Sequence, residues 1–394
     1  MIPPLFALFT WPLVVLILAR TLDPARAFVL AILGGQLLLP ELTEIDLPLL
    51  PALTKQSVPV LSVLLLVALF QPRGGSAEAR PLMPQSRFVL LATIGLAFSA
   101  LLTVALNGDP LFYGPTILPG MRLYDGFSQI LSSLITVLPL LLARKFLARP
   151  EDHMLLLKLL CIAGLAYSLL ALFEVRMSPQ LNRWVYGFFP HSWVQHFRGG
   201  GWRPIVFFSH GLVLSVFFSM VVLAVAGLRR QAVEKRKFYT YAFGWMFLTL
   251  ILCKSLGALI IALLLLPAAM FLRTRGQLIM ACVIAGLIMA FPVARSAGII
   301  PIQQILDYAE QYEPERAISF GVRVFNEDQM LAKANERPIF GWGGWGRSRV
   351  VDSETGKDVT IADGYWIIAL GVGGWIRYLL EFGLLGVPLF LLLI

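Results

Sequence analysis

The chain reads as all-α: a polytopic membrane helix bundle of about 11 spans with a large helical loop before the last span. Three observations lead there. Of its 394 residues 58% are hydrophobic and only 14% charged, and the mean hydropathy is +0.78. A soluble domain holds nearer half and a quarter. The apolar residues fall into runs of the length that crosses the hydrocarbon core as a helix, the form in which each backbone amide finds its partner within the segment. Lys and Arg collect in every second connection, as they do in loops facing the cytoplasm.

In order, the expected spans are Pro4–Ala19, Ala25–Leu39, Gln56–Phe70, Phe88–Leu106, Gly126–Ala143, Met154–Phe173, Ile205–Leu228, Tyr239–Cys253, Leu256–Leu272, Gln277–Val293 and Gly374–Ile394. The residues around Lys254-Ser255-Leu256 leave room only for a tight helical hairpin. Odd-numbered connections carry Arg20 and Arg26; Arg73, Arg80 and Arg87; Arg144, Lys145 and Arg149; Arg229, Arg230, Lys235, Arg236 and Lys237; and Arg273 and Arg275. The short even-numbered ones are neutral or acidic. This alternation predicts an amino terminus and two long polar loops outside the cytoplasm.

Three regions follow: a transmembrane bundle at 1–293 with an outer loop at 174–204, a large outer loop at 294–363, and a short helix with the final span at 364–394. The first apolar run lacks a basic leader and a small-residue cleavage site, so a retained anchor is expected. The last run stops at Ile394 without a polar flank, which predicts that the natural chain continues. The formal charge of +9 belongs mainly to cytoplasmic loops, where anionic membrane lipid is the counterpart and nucleic acid is not. Cys161, Cys253 and Cys282 fall in apolar spans and read as small buried hydrophobes.

A polar stretch from Arg295 to Asp363 is far too long for a connector. Helices are expected at Pro301–Tyr312 and Pro314–Glu336, where Phe320, Val324 and Leu331 recur at helical spacing and Ser319, Arg323 and Asn326 form the other side. Arg323 either pairs with Glu327 at i+4 or faces a ligand. After Pro338 comes Gly341-Trp342-Gly343-Gly344-Trp345-Gly346, letter for letter a dinucleotide fingerprint, but no strand precedes it and no βαβ unit fits. It reads instead as a tight turn with exposed amides whose backbone approaches something closely. Trp342 and Trp345 then anchor at the bilayer interface or stack on a sugar ring.

The 174–204 loop holds Arg176, Arg183, Arg198 and Arg203, against the positive-inside trend. Something anionic offsets them, or the loop faces headgroups and water; the fixed donor fork of arginine suits a lipid diphosphate. His191 and His196 lack a third ligand at recognisable spacing, so no metal site is expected, and His210 is expected to pack against neighbours. Lys158, Glu174 and the Arg377/Glu381 pair sit in or near spans, where charge implies partnering or snorkelling.

Taken in order, Arg203-Pro204, the Lys254-Ser255-Leu256-Gly257-Ala258 hairpin, Arg323 ahead of Pro338-Ile339-Phe340-Gly341, and Glu381-Phe382-Gly383-Leu384-Leu385-Gly386 resemble the O-antigen ligase and O-antigen polymerase superfamily from Arg203 onward. The resemblance implies a multi-pass glycosyltransferase of the bacterial inner membrane whose large loop and active face are periplasmic. It implies an undecaprenyl-diphosphate-linked glycan as donor, a glycan, lipid A-core or other hydroxyl as acceptor, and no cofactor, nucleotide sugar or metal. Arg203 and Arg323 would hold the diphosphate, with Arg198, Trp342 and Trp345 near the glycan. Where ligases carry a histidine at the loop's end, this chain has Asp363-Gly364-Tyr365-Trp366, which favours a polymerase-like or divergent member. Asp363 would take the acceptor proton in an inverting attack, or cap the helix that follows. Two other classes compete: a transporter or flippase for lipid-linked glycan, whose coupling charges would lie on broken helices at the midplane, and a non-catalytic partner of a polysaccharide export system.

Overall fold

The computed structural model describes residues 1–47, 50–69, 81–84, 86–198, 200–312, 314–362 and 364–391. Among them the chain forms fourteen α-helices: α1 (Pro4–Thr21), α2 (Pro24–Leu38), α3 (Ser57–Leu69), α4 (Arg87–Ala105), α5 (Leu123–Phe146), α6 (Pro150–Met177), α7 (Leu181–Tyr186), α8 (Gly211–Gln231), α9 (Arg236–Leu252), α10 (Leu256–Phe271), α11 (Thr274–Ser296), α12 (Ile302–Tyr312), α13 (Pro314–Glu336) and α14 (Tyr365–Leu391). Three antiparallel two-stranded ribbons join them: β1 (Glu44–Ile45) with β2 (Leu53–Thr54), β3 (Leu111–Tyr113) with β4 (Thr116–Leu118), and β5 (Phe197–Arg198) with β6 (Gly201–Trp202).

Each expected span is matched by a helix, and seven of these helices are long and apolar enough to cross a membrane: α1, α4, α5, α6, α8, α11 and α14. The other four are shorter, at 15, 13, 17 and 16 residues for α2, α3, α9 and α10. At 1.5 Å per residue they reach about 20–26 Å, less than the hydrocarbon core of about 30 Å. The seventh expected span differs at its start. Residues 205–210 are buried or half-buried but not helical, and α8 begins only at Gly211. The last expected span is one element with α14, interrupted by the non-helical Gly374; Leu392 to Ile394 lie outside the described residues, as does Phe70 at the end of the third expected span.

The chain divides into two compact units. One comprises residues 1–47, 52–83 and 138–277, and the other 48–51, 84–137 and 278–394. The first is built around α8, whose Leu214, Phe218, Val221, Val222, Val225 and Leu228 are fully buried. These large apolar side chains recur at i, i+4, i+7, i+8, i+11 and i+14, one broad stripe along α8 on which α6, α9 and α10 pack, while Leu212, Val213, Val216 and Met220 on the other side are exposed. The second unit has a smaller core in which Met330, Leu331 and Ala334 of α13 meet Ile367, Leu370 and Tyr378 of α14. Asn326, expected on the outer side of α13, is buried; its amide oxygen accepts from the Ile361 amide at 2.8 Å, tying the end of the loop to α13. In α14 Arg377 reaches Glu381 at 3.3 Å, the i+4 pair expected from the sequence.

Candidate functional site

In the first unit the chain enters α8 through buried irregular backbone, and two acceptors make that possible. Buried amides need partners, and the fully buried carboxylate of Glu174, on α6, accepts from the amides of Leu181 at 2.9 Å, Ile205 at 2.8 Å and Val206 at 2.7 Å. Tyr167 accepts from the Phe207 amide at 3.2 Å while its own hydroxyl donates to Leu37 O at 3.0 Å. Lys55 closes the other side. Its ammonium donates to Phe207 O at 2.5 Å and lies 3.3 Å from a Glu41 carboxylate oxygen. Burial pushes the Lys55 ammonium down to about 8, against the opposing pull of Glu41.

This frame positions Arg203. Its amide donates to His196 O at 2.7 Å, its side chain is buried, and one guanidinium nitrogen donates to Ser255 Oγ at 3.2 Å. The side chain crosses Gly211 so closely that a Cβ there would stand 2.7 Å from Nε, which is why the first residue of α8 carries none. Ser255 is the cap residue of α10. Lys254, its neighbour, is half-buried with φ 53°, and its ammonium fills the space a side chain on Gly201 would take. His210 caps α8, its Nδ1 accepting from the Leu212 amide at 3.0 Å. Two cationic side chains thus stand at the N-terminal ends of α8 and α10, where the helix dipoles add to their field. Chemically, such a place stabilises negative charge, the more strongly for being partly withdrawn from water.

His210 also lies edge to face with His191 and tilted against His196, with ring centroids 4.7 Å and 5.3 Å away. The third imidazole missing from the local spacing is therefore present, supplied from across the hairpin: His210 packs against neighbours, and two of them are His191 and His196. Lys254, Ser255 and His210 carry no signal of their own in the sequence beyond the hairpin that the resemblance picked out.

The second unit holds a charged knot around the glycine-rich turn. Trp342 is buried, donates its indole N–H to Lys333 O at 2.7 Å, and has the Lys333 ammonium and the Arg337 guanidinium at 4.8 Å and 4.2 Å from its ring centre. Trp342 is thus engaged by two cations of its own chain, whereas Trp345 is exposed. The amides of Trp342 and Gly343 donate to Gly371 O and Val372 O, each at 2.9 Å, so the turn does approach something closely: the break in α14. They are not exposed amides.

Asp109 ties the knot. It receives two bonds from Arg337, at 3.2 Å and 2.8 Å, and lies 3.6 Å from the almost fully buried Arg347. Hydrogen bonding to Arg337 holds the Asp109 carboxyl below its ordinary value, and burial lowers that of Arg347. A carboxyl whose folded value is depressed contributes stability above its unfolded value of 3.8 and loses it as pH falls through the lower folded value. Asp109→Asn is expected to cost about 2 kcal/mol at pH 7, because it leaves Arg347 buried without its counter-charge. Thermal melts of the two proteins are expected to stay a constant distance apart down to about pH 4 and to converge only below it; a gap that persists undiminished well below that pH would count against the assignment.

Arg323, on α13 in the second unit, is exposed, and Arg203 belongs to the first. The backbone of Arg198 lies in β5, but its side chain and the whole of Asp363 are outside the described residues. Comparison with family models, with curated proteins and with solved structures returns no significant match.

Proposed function

We propose that the protein is an integral inner-membrane glycosyltransferase that uses an undecaprenyl-diphosphate-linked glycan on the periplasmic side to polymerise or ligate surface polysaccharide. The observation that carries this reading is the buried Arg203 guanidinium at the N-terminal ends of α8 and α10, with Lys254 beside it. In the reaction the acceptor hydroxyl attacks the anomeric carbon, the bond from that carbon to the diphosphate oxygen breaks, and the configuration inverts. Arg203 holds the departing diphosphate and Arg198 flanks the glycan; the resemblance further implies Arg323 for the diphosphate, Asp363 for the acceptor proton, and Trp342 and Trp345 for the glycan.

The test uses the purified chain in lipid nanodiscs with polyprenyl-diphosphate-linked oligosaccharide, following the free lipid diphosphate released. Arg203→Ala is expected to lower turnover about 10²–10³-fold, the usual effect of removing one donor to a developing oxyanion. Arg203→Lys should recover only part, because an ammonium lacks the fork. Undiminished release from the alanine variant sinks the reading. In a deletion strain, single repeat units on the lipid core indicate a lost polymerase, and absence of any attached polymer a lost ligase. One observation favours a second reading, a transporter or flippase for lipid-linked glycan: α14 breaks at Gly374 beside the pair of half-buried Arg377 and buried Glu381. That reading expects the lipid-linked glycan to cross the bilayer intact.

A further inference from the structure

Three imidazoles that the proposed transfer does not use converge in the first unit. His191 comes from the stretch after α7, His196 from the 3-10 turn Trp193–His196, and His210 from the cap of α8. Ring nitrogens of the three lie within 4.8 Å of one another. In addition to the two contacts of His210, the rings of His191 and His196 stand 5.3 Å apart, edge to face. His196 is fully buried and His191 exposed, so the cluster has a solid floor and an open mouth. A tetrahedral zinc ion with metal–nitrogen bonds of about 2.0–2.1 Å needs ligand nitrogens about 3.4 Å apart. Small side-chain rotations close that difference.

We propose that His191, His196 and His210 form a binding site for a divalent transition-metal cation, with a fourth position open to an anion. Three neutral imidazoles suit zinc, cobalt, nickel or copper and not magnesium or calcium, which require oxygen donors. Arg203 and Lys254 stand close by and oppose a bare dication, and the N-terminal end of α8 does the same. The same charges define the fourth ligand. Only an anion, a phosphate oxygen or hydroxide, relieves a field built from a metal ion and two cationic side chains. Loading also has a local signature. The Leu212 amide now bonds to His210 Nδ1. Whether His210 ligates through Nδ1 or through Nε2 with the proton moved to Nδ1, that acceptor is withdrawn, and the first turn of α8 loses its cap.

The experiment takes the full chain in nanodiscs, stripped with chelator, and titrates it with Zn²⁺ and with Co²⁺. One metal per chain is expected, with the intense visible bands of four-coordinate Co²⁺, a change in those bands on adding inorganic phosphate, and faster hydrogen exchange at Leu212. His191→Asn, at an exposed position, and His196→Ala should each weaken binding about 100-fold or more, and apo His191→Asn should melt with the apo wild type. Less than one metal per chain, or affinity unchanged in His191→Asn, overturns the site. Neither result bears on glycan transfer, whose own test reads a different residue and a different product.

Discussion

Glu174→Ala should be among the most destabilising substitutions in the first unit. The carboxylate is fully buried and accepts from three backbone amides that no helix or sheet ladder serves, those of Leu181, Ile205 and Val206. Hydrogen bonds to a charged group contribute roughly 1.5–3 kcal/mol each, and a buried donor left unsatisfied costs a comparable amount. Removing all three together costs about 5 kcal/mol, which is of the order of a whole domain's net stability. Val206 sharpens the effect. Its φ of 53° is a strained conformation for a β-branched residue, held only while its amide is fixed. Glu174→Gln, which keeps one oxygen but turns an amide group toward amides, should fall between the two. Melting in detergent and monodispersity on gel filtration measure the loss. An alanine variant melting within about 3 °C of the wild type would mean that other acceptors serve this backbone.

Periodicity made most of the scaffold legible and little of its chemistry. The bounds of α13 fall on Pro314 and Glu336 as the spacing predicts, because a proline opens the helix and an apolar stripe runs its length. The hairpin at Lys254–Ser255 was equally legible, since two long apolar runs separated by so few residues have no other geometry. The irregular entry to α8 was hidden because residues 205–210 are as apolar as a helix; what exempts them from helix formation is an acceptor on α6, far away in sequence. The sequence shows Glu174 only as a charge that needs a partner. Its partners are main-chain amides, which no pattern of side chains reveals. His210 has no visible link to His191 and His196 in the sequence because it lies beyond the β5–β6 ribbon from them. Arg323 stays where the helical pattern put it, exposed on α13, and its competing roles are separated by chemistry, not by helix geometry.

The turn at Gly341 carries the other large expected effect. The break of α14 at Gly374 frees backbone groups in an element of transmembrane length, where each unsatisfied one costs several kcal/mol. The Pro338–Gly343 segment serves them. Gly371 O and Val372 O accept from the amides of Trp342 and Gly343, at 2.9 Å each, and the amides of Trp375 and Ile376 donate to Pro338 O and Ile339 O at 2.7 Å and 3.3 Å. Such pairing requires two backbones in contact. At Gly341, with φ 67°, a Cβ would lie 2.6 Å from Gly374 N and from the carbonyl of Val372, main-chain atoms that no rotamer change moves aside. Gly341→Ala should therefore cost about 4 kcal/mol: roughly 1–2 from the left-handed conformation and the rest from weakened pairing at the break. Gly346 is the control within the same turn. Its φ is 78°, and a Cβ there would meet nothing within 4 Å, so Gly346→Ala should show the conformational part alone, about 1 kcal/mol. Equal melting losses for the two variants would mean that the turn's glycines serve only their own backbone angles. A loss at Gly341 several times that at Gly346 identifies close pairing with α14 as the reason for glycine there.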